Sequence, residues 1–452
     1  MSLERIETSR GKKLIFSFPR LGSSLVLGIE GFALFTLYFT GYGLNPTSIG
    51  FALAMGYLSI ALGQFLLGWI SDAKYTKIGR RKPYLLIFGP LLGISFIFLL
   101  LPALVLPDMN DQNALFLWLL IWDIIFRFSY SVTTPYQAWM AEEFPAAERP
   151  KVSQFQNTFN FIGNGLMALT TLLVLTGVFD EIALDPNSIP ITFLIVVLLF
   201  GITAIILFLI IVFLMPTEPD YKLESTLWQS LITTVKNKNF MIIVLMQGIS
   251  GFAWSIISTV MLTYTEVVLD LSGTDYIIVA LMLLLSIFLF LFMWRKQIEK
   301  IGKKKTLLYI FLVGAIFLPI SLLGLVPQIP HLILGIVFIS GIGLILGGWY
   351  LFPYIIYADV AEDDEKETGE LKAGVYTGFP SIILNIFQAI GVYLLGLITS
   401  LPDVNLGSLV FSIGLIIWGP ICSVILIISY FYTRHFVKLD FLSVLKNNSF
   451  LI

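Results

Sequence analysis

The stretch G-W-I-S-D-A-K-Y-T-K-I-G-R-R-K-P, residues 68–83, decides how the rest of the chain is read. It separates two long apolar runs and holds one acid, Asp72, among the bases Lys74, Lys77, Arg80, Arg81 and Lys82. A dense basic turn between two apolar spans cannot cross a bilayer cheaply, so it marks a cytoplasmic loop. Gly68 lets two helices approach closely. A second copy follows at 295–308, R-K-Q-I-E-K-I-G-K-K-K-T-L-L, where K-I-G-K-K-K answers K-I-G-R-R-K. The duplication favours a gating hinge in which Asp72 holds basic groups or helix ends in one conformation and releases them in another. Gly68, Asp72, Gly79, Arg80, Arg81, Lys82, Gly302 and Lys303 form this motif. The plain alternative is a pair of anchors that only fix topology.

Composition fits a membrane chain. Of 452 residues, 57% are apolar and 12% charged, against about 25% charged in a soluble domain, and the mean hydropathy is +0.91. The single cysteine, Cys422, excludes internal disulfides and multi-cysteine metal sites. The two histidines, His331 and His435, fall near expected membrane ends, so no metal centre is expected. Residues 1–20 are basic and polar, unlike a cleavable signal peptide.

Spans need about 20 mostly apolar residues. Twelve are expected, at 20–41, 48–71, 83–106, 113–140, 152–177, 190–215, 240–267, 275–294, 305–326, 331–357, 373–400 and 407–433. With residue 1 in the cytoplasm, every one of the 27 Lys and Arg except Arg127 falls on the cytoplasmic side. The opposite loops carry only acids, among them Asp108, Asp111, Asp180, Glu181, Asp185, Asp270, Asp275 and Asp403. That asymmetry is the positive-inside signature. Residues 1–215 then form one six-helix bundle and 240–434 another. The link 216–239 carries Leu227, Trp228, Leu231, Ile232 and Val235 at the spacing of an interfacial helix, and 435–452 is a cytoplasmic tail. The halves repeat in parallel: Pro135-Tyr136 answers Pro353-Tyr354, and Glu142 answers Asp359. Parallel repeats imply two bundles around a central cavity with sites near the midplane.

Three loops carry a family resemblance. Residues 68–83 resemble the loop 2–3 signature of the major facilitator superfamily, and more narrowly that of the glycoside–pentoside–hexuronide:cation symporters, the melibiose permease family. T-P-Y-Q-A-W-M-A-E-E-F with Glu148-Arg149 is similar to that family's loop 4–5, A-D-V-A-E-D-D-E-K-E-T-G-E-L-K-A-G-V-Y-T-G to its loop 10–11, and N-K-N-F before span 7 also fits. The resemblance implies an all-α major facilitator fold and alternating-access transport. It does not carry over sodium coupling or a galactoside. Where the family has cation-binding aspartates on helix 2, this chain has Ile60 and Gln64. Family sugar- and cation-site residues on helices 1, 4, 5 and 11 fall at Leu25, Thr133, Gln137, Asn157 and Asn385.

The spans supply their own polar stripes. Asp123, Arg127, Tyr130, Thr134 and Gln137 recur at steps of four and three on span 4, so they share a helical face. Span 5 repeats the pattern with Ser153, Asn157, Asn160 and Asn164, and span 11 with Thr377, Ser381, Asn385 and Gln388. Tyr57 and Gln64 on span 2, Gln247, Trp254 and Ser258 on span 7, and Tyr350, Tyr354 and Tyr357 on span 10 add to a cavity suited to a polyhydroxylated or similar polar solute. The plain alternative is that these amides hold helices together. Glu30 is a lone acid in span 1. A charge at mid-membrane costs about 2.5–3.5 kcal/mol on insertion scales, which a carboxyl avoids by keeping its proton. Arg127 stays charged and needs a counter-charge; Asp123 is nearest in sequence, with Glu30 as competitor. Glu30, Asp123 and Arg127 are the expected coupling groups. The acidic run Glu362–Glu370 reads as a solvated loop that can meet the basic turns.

The reading is a secondary transporter of a sugar, glycoside or similar polar solute, coupled to a cation, with H+ favoured over Na+ and no other cofactor. A lipid or lysolipid carrier of the same fold and a transport-inactive sensor are the alternatives. An enzyme is not expected: no nucleophile–base cluster, paired-carboxylate site or phosphate loop is visible. The partners are a small solute and the bilayer, without nucleic acid, and the chain is expected to be a monomer in the cell membrane with both termini cytoplasmic. In a Cys422→Ser background, Asn110→Cys and Thr226→Cys should react with an impermeant maleimide from opposite sides; labelling from one side would overturn this topology.

Overall fold

A computed structural model describes residues 9–145, 148–171, 176–217, 232, 235–326, 328–352, 373–406 and 409–438. Helices α1 (Arg10–Ser17) and α2 (Pro19–Thr36) open the chain, and α2 ends in a π turn, Leu37–Gly41. Next come α3 (Pro46–Ala73), α4 (Lys82–Leu100), α5 (Gln112–Tyr130), α6 (Thr133–Glu143), α7 (Arg149–Thr170), α8 (Thr176–Leu184) and α9 (Ile191–Leu214). The second half holds α10 (Lys238–Thr263) with its own π turn, Tyr264–Val268, then α11 (Gly273–Ile301), α12 (Lys303–Phe317), α13 (His331–Trp349) and α14 (Ala373–Thr399). A hairpin, β1 (Asp403–Leu406) and β2 (Leu409–Ser412), pairs Asp403 with Ser412 and leads into α15 (Gly414–Phe436).

Local chemistry sets these starts. Pro19, Pro46 and Pro83 fall in first turns, where the missing N–H leaves no bond unmade. The Asp111 carboxylate caps α5, accepting from the backbone N–H of Asn113 at 3.0 Å and Ala114 at 3.1 Å. Asn237 caps α10 by accepting from Phe240 N at 3.1 Å, which explains the N-K-N-F stretch before it. Gly79 (φ 108°) and Gly302 (φ 89°) hold the turns of the two basic motifs in conformations that a side chain disfavours.

Among the described residues, eleven helical stretches are long and apolar enough to span a membrane. The expected fifth span is helical over α7, but Gln154, Gln156, Asn157, Asn160 and Asn164 lower its hydropathy below that group. The chain divides into two compact units, Met1–Leu44 with Met55–Glu224, and Asn45–Ala54 with Ser225–Ile452. In the first, α2 packs on α7 and α9, and α4 on α5 and α9. In the second, α10 packs on α14 and α15, α11 on α13, and α12 on α15.

Both units carry the same backbone device. Tyr42 N donates to Leu37 O at 3.0 Å and Leu44 N to Tyr38 O at 2.8 Å; Leu269 N donates to Tyr264 O and Leu271 N to Thr265 O, both at 3.2 Å. Between them sit Gly43 (φ 64°) and Asp270 (φ 50°). The hydroxyls of Tyr38 and Tyr264 donate to Leu99 O at 2.8 Å and Ser321 O at 3.0 Å.

Three expected boundaries change. The eighth span does not stop at 294 but runs as α11 through Arg295–Ile301, so the second basic motif is mostly helix with a turn only at Gly302. Helix 4 is not continuous over 113–140: Ser131 and Val132 form a turn between α5 and α6. The twelfth span begins at Gly414, because V-N-L and L-V-F-S pair as a hairpin. The interfacial-helix stretch 218–231, the loop Pro353–Lys372 with its acidic run, and most of the 435–452 tail lie outside the described residues.

Gly93 on α4 and Gly201 on α9 lie face to face: a β-carbon on Gly93 would run into Gly201 O. Gly93→Val should therefore overpack this contact at a cost of about 1–3 kcal/mol, read as a lower melting temperature of the purified protein.

Candidate functional site

The centre of the first unit is ionic. Arg127, on the last turn of α5, is 4% exposed, Glu30 on α2 is 2% exposed and Asp123 on α5 is fully buried. Arg127 Nη2 pairs with Glu30 Oε1, and Arg127 Nε stands 3.5 Å from Asp123 Oδ1. The guanidinium lies 3.7 Å from the centre of the Tyr57 ring on α3, a cation–π contact in a desolvated setting. Three helices thus converge on one charge. The pairing order differs from the sequence expectation: Glu30 makes the direct contact and Asp123 the looser one. Neighbours in sequence four apart share a face, but α2 delivers Glu30 to the end of the guanidinium fork while Asp123 reaches only its base. Glu30 Oε2 and both Asp123 oxygens have no hydrogen-bond partner among the described residues.

Gly56 makes the room. A β-carbon there would strike Asp123 Oδ2 and stand 2.7 Å from Arg127 Cδ. The same helix approaches α5 and α6 farther along. Ser59 Oγ donates to Ile124 O at 2.8 Å, Ser131 Oγ to Ile60 O at 3.3 Å, and Gly68 lies against Thr134 Cγ2. The sequence missed Gly56 because its role depends on a side chain from another helix.

Of the rest of the span-4 stripe, Tyr130 ends α5, and Thr134 and Gln137 lie on α6 beyond the turn at Ser131–Val132. Gln137 on α6 instead takes Arg20 as partner: Arg20 Nε donates to its oxygen at 2.9 Å, and Nη2 donates as well, with the amide oriented by those donors. Tyr130 and Thr134 are half-buried. On α7, Asn157 is exposed and Asn160 half-buried. Ser24 Oγ donates to Asn160 Oδ1, as does Asn164 Nδ2 at 3.4 Å. Ser153, Gln154, Asn157, Thr158 and Phe161 line a hollow of about 620 Å³. Gln64 is half-buried with an unpartnered oxygen among the described residues.

In the second unit, Gln247 is fully buried on α10, and neither its amide atoms nor Trp254 Nε1 finds a hydrogen-bond partner among the described residues. Trp254 stacks on Trp349 of α13 at 5.3 Å between ring centres, a partner that sequence spacing did not single out. Asn385 on α14 is buried and Gln388 half-buried. Tyr350 is 45% exposed at the end of α13; Tyr354 lies outside the described residues.

The two arginines of the first basic turn are held by one acid rather than left in solvent, whereas Lys74 and Lys77 are exposed. Arg80 and Arg81 are each 3% exposed. Arg81 Nη2 donates to Glu142 Oε1 at 2.5 Å, its Nε to Glu142 Oε2 at 3.3 Å, and its Nη1 to Ser71 Oγ at 2.6 Å. Such fork-to-carboxylate pairing is strong and directional. Arg80 stands 3.8 Å from the same carboxylate. Lys82 Nζ donates to Met215 O at 2.6 Å, at the C-terminal end of α9 where a cation is favoured. The side chain of Asp72 lies outside the described ones. Among the described residues no group of three His, Cys, Asp or Glu gathers as metal ligands would.

The MFS/sugar transport protein family model matches residues 16–433, and the chain belongs to that family. Several solved transporters share its fold. A D-xylose–proton symporter superposes with TM-score 0.64 at 14% identity over 95% of this chain and 96% of its own. The nucleoside transporter NupG gives 0.61 at 16% over 94% and 98%. XylE from E. coli, inward-open, gives 0.59 at 16% over 94% of each chain. The search of curated proteins gave no match. The chain is thus a multi-pass membrane transporter of small solutes with the major facilitator fold.

Gly56→Ala should displace Asp123 and Arg127 and cut transport at least about tenfold, equivalent to about 1.4 kcal/mol. Gly31→Ala, with nothing within 4 Å of an added β-carbon, should leave it unchanged. Equal uptake by both variants, measured in vesicles at matched expression, would deny Gly56 its role.

Proposed function

We propose that this transporter carries a sugar or similar polyhydroxylated solute together with a proton, and that Glu30 and Asp123 handle the proton. The observation that carries this reading is the charge count of the buried cluster: two carboxyls surround one guanidinium. With both carboxyls ionised the site would hold a net negative charge away from water, which is costly. A single proton on either acid makes it neutral. Uptake of that proton by Glu30 releases the outer nitrogens of Arg127 for a solute hydroxyl, and its loss recaptures them. Tyr57 keeps the guanidinium in place during the exchange.

The family's description supports a sugar as cargo. The amide-rich face of α7, with Gln154, Asn157, Asn160 and Asn164, supports a polar solute over a lipid one. The loop resemblances support the glycoside–pentoside–hexuronide group as the narrower family, with a proton in place of sodium because Ile60 and Gln64 replace its helix-2 aspartates. The positions of the basic residues support cytoplasmic termini. The reading has the chain act as a monomer, without nucleic acid and without a chemical step on its cargo.

Uptake of radiolabelled pentoses, hexoses and disaccharides into vesicles, with and without an imposed pH gradient, tests this. Glu30→Gln should abolish proton-driven accumulation while solute exchange persists. Arg127→Gln alone strands two acids and should cost about 3–5 kcal/mol of stability, seen as poor expression. Combining Glu30→Gln and Asp123→Asn with Arg127→Gln strands no charge and should restore expression but not accumulation. Wild-type accumulation in this triple variant would reduce the cluster to a structural role.

A further inference from the structure

The two basic motifs share a sequence, and each exposes its first lysine, Lys77 and Lys300, but their last three bases are buried to different degrees. In the first unit Arg80, Arg81 and Lys82 are 3%, 3% and 8% exposed and spend their charge on Glu142, Ser71 and Met215 O. In the second unit the corresponding Lys303 and Lys304 are half-buried and Lys305 is exposed, and the helices around it direct further bases outward.

Each of three helices shows an exposed apolar stripe that ends in a base. On α11 the stripe runs through Leu281, Leu285, Leu289 and Phe292, and the next exposed positions on it are Lys296 and Lys300. On α12 it runs through Ile316, Leu312 and Tyr309 and ends one turn earlier at Lys305. On α15 it runs through Val424, Ile428 and Phe431 and ends at Arg434 and Lys438. Exposed apolar stripes on a membrane-spanning helix face acyl chains. The 29 residues of α11 measure about 43 Å at 1.5 Å per residue, more than the hydrocarbon core of about 30 Å. Its last turns therefore stand among headgroups. Lys304 Nζ donates to Arg434 O at 3.1 Å and ties the start of α12 to the end of α15. Among the described residues Glu299 is the acid on this patch, and it is engaged by Arg295 at 3.3 Å.

We propose that this end of the second unit binds the headgroup of an anionic phospholipid whose acyl chains lie along the exposed faces of α11, α12 and α15. Lysines at the headgroup level attract anionic lipid, and the apolar stripes continue without a break below them. In the first unit Lys74 and Lys77 are exposed as well, but Arg80, Arg81 and Lys82 are buried.

The test uses the purified full chain in detergent and compares the rise in melting temperature on adding phosphatidylglycerol with that on adding phosphatidylcholine. The wild type should be stabilised selectively by phosphatidylglycerol. The combined variant Lys296→Gln, Lys300→Gln, Lys305→Gln should lose more than about half of that selective shift, and the triple Lys→Arg variant should keep it. Lys74→Gln with Lys77→Gln, on the first unit's turn, should also keep it. If the triple Gln variant cannot be purified, Lys305→Gln alone must still reduce the shift. A full shift in the Gln variants, an equal loss in the Lys74 and Lys77 control, or no preference for phosphatidylglycerol in the wild type would overturn the proposal.

Discussion

Arg127 is the constraint on which the first unit depends. An arginine keeps its charge at any ordinary pH, so a helix that carries one into the membrane interior must bring counter-charges with it. Here they come from two helices, and the ring of Tyr57 covers the guanidinium from a third. Residue choices nearby follow from that demand. Gly56 is bare because Asp123 fills the space of its side chain, and one turn farther along Ser59 and Ser131 bond α3 to the α5 region.

The second unit repeats the backbone without the charge. In the register of the two π turns Glu30 corresponds to Ile257, and in the register of the helix starts Asp123 and Arg127 correspond to Ile342 and Leu346. All three are buried and apolar. In that unit α10 and α13 carry the neutral Gln247 and the stacked Trp254 and Trp349, while the acid Glu266 sits in the π turn. A duplicated backbone thus holds a buried ionic cluster in the first unit and apolar residues at the matching positions of the second.

Much of this was legible in the sequence, where the signal was one of composition or charge. Apolar runs, the bias of lysine and arginine, and an isolated Arg127 with acids nearby all follow from the cost of charge in hydrocarbon. What the sequence hid depends on contacts between distant residues. The preference of Arg127 for Glu30 over Asp123 is a matter of helix placement. Helical spacing treated residues 113–140 as one face, whereas the turn at Ser131 splits it and sends Gln137 to Arg20. The hairpin before α15 was missed because two four-residue strands are too short to stand out beside an apolar helix. Glu142 was visible as a repeated acid, but the two hydrogen bonds it accepts from Arg81 were not.

The π turn at the end of α2 has one more consequence. A π turn holds one residue more than the corresponding α turn, so it sets the rotational phase of everything on one side of it against everything on the other. Tyr38 and the bonds of Tyr42 and Leu44 fix the far side. Glu30 lies on the near side, two turns away. Each residue of an α-helix advances the chain by about 100°. Deleting a single residue within 37–41 would therefore swing Glu30 by that angle, off the guanidinium it now holds, although no residue of the charged cluster had been touched.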